Sequence, residues 1–192
     1  MKQLLDKYLV RLTSLGESER QAILGELTIK VYAKGTVLLE QGEPSDKCWF
    51  VLRGCVRQYS LDEEGRESTS AFYTEEQAIA GFDRGNPEEG SAWSLTCLEE
   101  CVLVVGDFSA EPDMFGRHAQ LESMTRRMME EHLGRMQREF AAFIASTPEE
   151  RYRMMLRQRP DLRERVPQHQ LASYLGMTPE SLSRIKKRIA DS

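Results

Sequence analysis

Arg184, Lys187 and Arg188 recur at spacings of three and four near the C-terminus, in TPESLSRIKKRI at residues 178–189, with Glu180, Ser181 and Ser183 between them. On a helix these positions gather on one side, away from Leu182 and Ile185. The side-chain types suit a defined chemistry. A guanidinium forks onto guanine O6 and N7, and a carboxylate accepts from the cytosine amino group, so Arg184 and Glu180 are candidates for reading base edges. Ser181, Lys186, Lys187, Arg188 and His169 are better suited to holding phosphates and setting register, with Thr178 and Ser183 beside them. No residue is assigned a catalytic role, and the reading is of a binding protein, not an enzyme.

Two crossed helices must position these groups. Leu171, Ala172, Leu175, Met177, Leu182 and Ile185 fall where such a pair needs apolar side chains, and small Ala172 permits close approach. Gly176 marks the turn, where a left-handed backbone carries no Cβ penalty. Thr178 suits the N-cap, and Pro179 the first helical position, where its missing N–H costs nothing. The stretch from Gln168 therefore reads as a helix-turn-helix. The blander alternative is a surface helical hairpin with a solvated basic face.

Charge is unevenly distributed. The chain has 192 residues and a formal net charge of −5. Residues 151–192 carry ten Lys/Arg against four Asp/Glu, a net +6, and residues 1–150 carry the compensating −11. A basic module on an acidic body suits a protein that touches nucleic acid with one end. No apolar run approaches the roughly 20 residues of a membrane span, and the amphipathic start MKQLLDKYLVRL lacks a signal-peptide pattern. A cytoplasmic location without membrane contact is the expectation.

Upstream, residues 3–28 read as helix in two pieces, broken at Gly16-Glu17-Ser18, with Ser18 as a cap for the second. From 29 to 108, short β-branched and aromatic runs alternate with turn signals, the pattern of an antiparallel jelly roll. DEEG at 62–65 reads as a hairpin turn with Gly65 at positive φ, and Trp49 and Phe50 as filling of the roll. Residues 111–145 read as a long helix. Met129, Leu133, Met136, Phe140 and Phe143 form a seam, extended with a drift in register by Leu121, Met124 and Met128. Such a seam predicts a partner helix and hence a homodimer. Thr147, Pro148 and Glu150 form a capping box at a hinge, and residues 161–168 read as loop or short strand.

Helix, roll, seam helix, hinge and helix-turn-helix together resemble the Crp/Fnr family of bacterial transcription regulators. The resemblance rests on QGE at 41–43, FVLRG at 50–54, DEEG at 62–65, SAW at 91–93 and TPESLSR at 178–184. It implies an α+β fold in three parts. These are a double-stranded β-helix of the cyclic-nucleotide-binding type with N-terminal helices over 1–110, a dimerisation helix over 111–146, and an all-α helix-turn-helix domain over 147–192. It also implies double-stranded DNA as partner, sequence-specific regulation of transcription, and RNA polymerase as a further partner. Glu180, Ser181 and Arg184 match the family's recognition positions, whereas Pro179 stands where the family carries a first arginine. The chain stops three residues after Ile189, so the wing hairpin of most members is not expected.

The resemblance also locates an effector pocket, at residues 79–93. The candidates are Gly81, Phe82, Arg84, Gly90, Ser91 and Ala92, with Arg135 from the seam helix. Where nucleotide-binding members carry an arginine for the cyclic phosphate, this chain has Gly90 after Glu88 and Glu89. A phosphate would meet carboxylates instead of a cation, so cyclic AMP and cyclic GMP are not expected, and any small-molecule effector is of another kind. Cys48, Cys55, Cys97 and Cys101 read as buried thiols, with Cys97 and Cys101 on one strand face. The spacings do not suit an iron–sulfur cluster, and His118, His132 and His169 lie outside the roll, so no metal or cofactor is expected. The alternative to a DNA-binding regulator is a β-roll small-molecule-binding or enzymatic protein whose C-terminal hairpin does not touch DNA.

Overall fold

The computed structural model describes residues 1–80, 90–107 and 109–190. The chain opens with two helices, α1 (Lys2–Leu12) and α2 (Glu17–Glu26). The break falls where Gly16 is expected, but Gly16 itself is the N-cap of α2 and Ser18 lies inside the helix. Glu17 and Glu19 in that first turn favour this start, because carboxylates stabilise the exposed N–H end of a helix.

Eight antiparallel strands follow: β1 (Thr28–Tyr32), β2 (Val37–Leu39), β3 (Lys47–Arg53), β4 (Val56–Leu61), β5 (Glu67–Tyr73), β6 (Ala78–Ala80), β7 (Ser94–Cys97) and β8 (Cys101–Asp107). They form two four-stranded sheets, ordered β1-β8-β3-β6 and β2-β7-β4-β5. This is the jelly roll that the turn spacing predicts. Gly65 closes the β4–β5 hairpin at φ +76.

Strand alternation builds two apolar layers at once. Trp49, Val51, Cys101 and Leu103 point into the roll, where they meet Leu39, Val56, Ile79 and Leu95. Leu52, Val102 and Val104 point outward to Leu5, Leu9, Ile23 and Leu24 of the N-terminal helices. The period-2 geometry explains why β8 is buried at four consecutive positions. It also corrects one expectation: Trp49 fills the roll, but Phe50 faces out and packs edge-on against Tyr8, ring centroids 5.9 Å apart.

The expected single helix over 111–145 is two: α3 (Glu111–Arg117) and α4 (Ala119–Ala145). His118 separates them at φ −132, ψ 71. It is buried, with Nε2 3.3 Å from Glu26 Oε1, so a tertiary contact holds the break. The register drift along α4 also has a cause. Leu121 is buried against the roll with Met124 packed beside it, whereas Leu133, Met136, Phe140 and Ile144 are exposed at 58%, 50%, 68% and 68%. The helix changes partners halfway along.

Among the described residues four more helices follow: α5 (Pro148–Gln158), α6 (Leu162–Arg165), α7 (Gln168–Tyr174) and α8 (Pro179–Ala190). The capping box at α5 forms, with Glu150 N–H donating to Thr147 and Thr147 N–H donating to Glu150. α6 corrects the loop-or-strand expectation for 161–168. Its Leu162 and Val166 are buried in the C-terminal core, and that burial supports a turn of helix too short to show in the sequence pattern. No helix of the described residues is long and apolar enough to cross a membrane.

Candidate nucleic-acid interface

Leu171, Ala172, Leu175, Leu182 and Ile185 are all buried in one cluster, with Met177 packed against it. α7 and α8 therefore lock at the angle their apolar faces dictate. The turn between them depends on Gly176, at φ +66, where a Cβ would strike the Arg151 guanidinium and the Phe143 ring. Arg151 donates to the Leu175 carbonyl at 2.7 Å and lies 4.2 Å over the Phe143 ring, tying the turn to α4 and α5. Thr178 accepts from Ser181 N–H at 3.2 Å, the N-cap that its position predicts.

With the inner face of α8 buried, the residues singled out from the sequence separate into two groups. Glu180, Ser183, Arg184, Lys187 and Arg188 are exposed, as are Thr178 and His169. Arg184 reaches Ser181 Oγ at 3.4 Å, and backbone N–H bonding at the helix start together with the Thr178 hydroxyl holds the Glu180 carboxyl below its ordinary range. Glu180 is thus an ionised acceptor and Arg184 an ionised donor, one turn apart on the same open face. Lys186 stands aside, half-buried, with Nζ 3.3 Å from Gln168 Oε1. Arg188 pairs with Glu149 of α5 at 2.6 Å, an exposed contact that water can replace.

The sequence does not reveal how this unit is held against the roll. Cys55 and Phe72 of the roll belong to the same buried cluster as the helix-turn-helix core, and Phe72 meets Tyr174 edge-on at 5.2 Å. β5 is the edge of its sheet, and its Thr69 N–H donates to Ser173 Oγ on α7 at 2.9 Å. A helix thus covers an edge that would otherwise present unpaired backbone. Arg159 donates to the Phe72 carbonyl at 3.3 Å and to Thr74 Oγ1 at 3.0 Å. Arg165 forks onto Glu75 and reaches Glu99. Arginine density between 151 and 165 is the sole trace of this in the sequence.

Of the effector candidates, Gly90, Ser91, Ala92 and Arg135 are among the described residues. Gly81, Phe82 and Arg84 lie outside the described residues. Ser91 is buried and its hydroxyl donates to the Trp93 carbonyl at 2.7 Å, while Ala92 is exposed. Gly90 has φ +67 and packs on Gly42, so that a Cβ there would overlap the Gly42 carbonyl. An arginine at this position has no room. Arg135 instead lines a cavity of about 420 Å³ between α4, β5 and the C-terminal helices, with Nη2 2.9 Å from His132 Nδ1.

The four thiols are not joined in disulfides. Cys97 ends β7 and Cys101 begins β8, so they meet across a turn and not along one strand. Burial pushes the Cys55 thiol up to about 12. Cys97 is raised by its hydrogen bond to Cys101 and by burial. Both stay protonated at neutral pH, as packing groups. Among the described residues, no group of three or more His, Cys, Asp or Glu is placed to hold a metal.

Comparison with known proteins agrees with this architecture. Residues 29–118 match the cyclic nucleotide-binding domain family model. The nitrogen fixation regulation protein FixK of Rhizobium meliloti is 27% identical over 177 residues, covering 87% of this chain and 77% of that protein. An anaerobic regulatory protein of Pasteurella multocida is 24% identical over 83% of this chain, which spans 62% of its length. The structure of FixK2 from Bradyrhizobium japonicum superposes with a TM-score of 0.72 at 20% identity, covering 86% of this chain and 85% of that one. The roll is thus similar to a cyclic nucleotide-binding domain, and the chain as a whole is similar to regulatory proteins. The resemblance to the Crp/Fnr family drawn from the sequence agrees with these matches, which are regulatory proteins by name.

Proposed function

We propose that this DNA-binding regulator reads its operator with α8 and acts as a homodimer paired through the C-terminal half of α4. The observation that carries the reading is the exposed Glu180–Arg184 face on a helix whose other face is wholly buried. Arg184 reads guanine and Glu180 cytosine, while Lys187, Arg188, Ser181, Thr178 and His169 contact phosphate or support the reading helix. The uncovered Leu133, Met136, Phe140 and Ile144 support the pairing. In the pair, two recognition helices face successive major grooves about 34 Å apart on a palindromic site. The working units are residues 1–110, 111–146 and 147–192, and the protein acts in the cytoplasm, where RNA polymerase is within reach.

The crowding at Gly90 supports a further part of the reading: no cyclic nucleotide is the effector. At position 90 there is no room for the arginine that would meet a cyclic phosphate, since a Cβ there would overlap the Gly42 carbonyl. The test is fluorescence anisotropy of the protein on its own upstream DNA across a salt series, with and without cyclic AMP. Tight binding with a steep salt slope, unchanged by cyclic AMP, is the expected result. Weak, salt-insensitive binding would sink the DNA reading, and a nucleotide-dependent gain would sink the effector reading.

A further inference from the structure

A second cavity, of about 310 Å³, lies on the outer side of the roll, bounded by β3 and β8, by α1, and by the N-terminal half of α4. It shares no described lining residue with the cavity that holds Arg135. Its walls are made by Leu5 and Leu9, by Phe50, and by Met124, with Met128 and Met129 one turn further along α4. Among the described residues, no lysine or arginine lines it. Its two carboxylates are already engaged. Glu26 is bonded to Arg117 at 2.6 Å and lies 3.3 Å from His118, and Asp107 accepts from Ser109 at 2.8 and 2.6 Å. The Tyr8 hydroxyl donates to the Leu52 carbonyl at 3.2 Å.

We infer that this cavity is a binding site for a neutral lipophilic small molecule. Natural cores are packed to crystal density, and a dry gap deprives its walls of dispersion contacts. An apolar void of about 150 Å³ stays dry and takes up benzene; this one has room for a fused-ring aromatic or a short alkyl chain, within the size range of ligand pockets. A buried anion needs a partner, and the described lining offers a phosphate or carboxylate no lysine or arginine. Three methionines on one wall supply a polarisable surface that adapts to the shape of its guest. The wall they form belongs to the helix that also carries Leu133 and Phe140, so occupancy stiffens α4 at its base. That consequence for pairing rests on the dimer reading above; the binding site itself does not.

The experiment uses the full chain and the neutral fluorophore N-phenyl-1-naphthylamine. Fluorescence titration should saturate at one probe per chain and raise the melting temperature. Met128→Trp, which fills the cavity from α4, should abolish the saturable signal, while Phe140→Ser on the exposed half of α4 should leave it intact. Cys48 lines the same cavity, so its alkylation by N-ethylmaleimide, followed by mass spectrometry, should slow several-fold with probe bound. Binding that is lost in Phe140→Ser but kept in Met128→Trp would overturn the proposal, since the probe would then sit on the exposed seam. Unchanged Cys48 labelling at saturation would overturn it too. Operator binding by the wild-type protein, measured in parallel, reports on the DNA reading separately: its absence counts against that reading and not against the cavity.

Discussion

Arg165 on α6 holds Glu75 of the roll in a two-pronged ion pair, Nη1 to Oε2 at 2.9 Å and Nη2 to Oε1 at 3.0 Å. The same guanidinium reaches Glu99, and Glu75 in turn accepts from Gly54 N–H at 2.9 Å. One cation thus ties the base of the DNA-reading unit to two loops of the roll. Burial raises the Glu75 carboxyl, but its bonds to Arg165 and Gly54 outweigh this and leave it below its ordinary value. Arg165→Ala should cost about 1–2 kcal/mol, reduced from a fully buried pair because the site is part-open to water. Urea denaturation measures it. A double mutant with Glu75→Ala should lose much less than the sum, because the pair is coupled.

Removing the reading group should differ from removing a phosphate contact. Arg184→Ala should weaken operator binding by about 1–3 kcal/mol and relax preference at one base pair, whereas Lys187→Ala should weaken all sequences alike and lower the salt slope by about 1. Anisotropy on operator and scrambled duplexes separates the two. Equal selectivity in wild type and Arg184→Ala would remove Arg184 from the reading role.

The exposed half of α4 carries Phe140 at 68% and Leu133 at 58% exposure. If these side chains cover a second copy, Leu133→Ser with Phe140→Ser should yield monomers in sedimentation equilibrium. The monomer's circular dichroism should match wild type, since neither side chain fills this chain's own buried core.

Gly176 is the position where the helix-turn-helix tolerates least. At φ +66 an L-residue costs about 1–2 kcal/mol of backbone strain, and the Arg151 guanidinium and Phe143 ring close the space that a Cβ needs. Gly176→Ala should therefore destabilise the C-terminal unit by at least that amount, seen as a lowered melting temperature and weaker operator binding. Gly25, with nothing within 4 Å of a built Cβ and no positive φ, should accept alanine without loss.

His132 links pH to the packing of α4. Its ring stacks on Tyr73 with centroids 6.1 Å apart, and burial first, then the nearby Arg135 charge, lowers its pKa. Glu139, one turn on, also lines that cavity. The folded protein therefore prefers neutral His132. Below the unfolded pKa of about 6.5 the unfolded chain binds a proton that the folded chain refuses. Stability conferred by neutral His132 is present above that pH and declines as pH falls toward the folded value. His132→Phe should flatten the stability profile as pH falls below about 6.5, measured by urea denaturation at stepped pH.

Local rules made part of this protein legible in advance. The capping box at Thr147, the turn at Gly176, the Thr178 cap and the buried set from Leu171 to Ile185 each depend on neighbours within a few residues, and so does the alternation that yields the roll. The exposed Glu180–Arg184 face of α8 follows from the same periodicity. Contacts between residues distant in the chain left no such trace. Nothing around His118 announces that Glu26 will hold a helix break there, and nothing in the spacing of Phe50 says that its strand is covered on both sides. The docking of α7 on β5, the Arg165 pairing and the methionine-walled cavity depend on where separate elements come to rest. Periodicity along a chain records which face of an element is buried; only the packed structure decides against what.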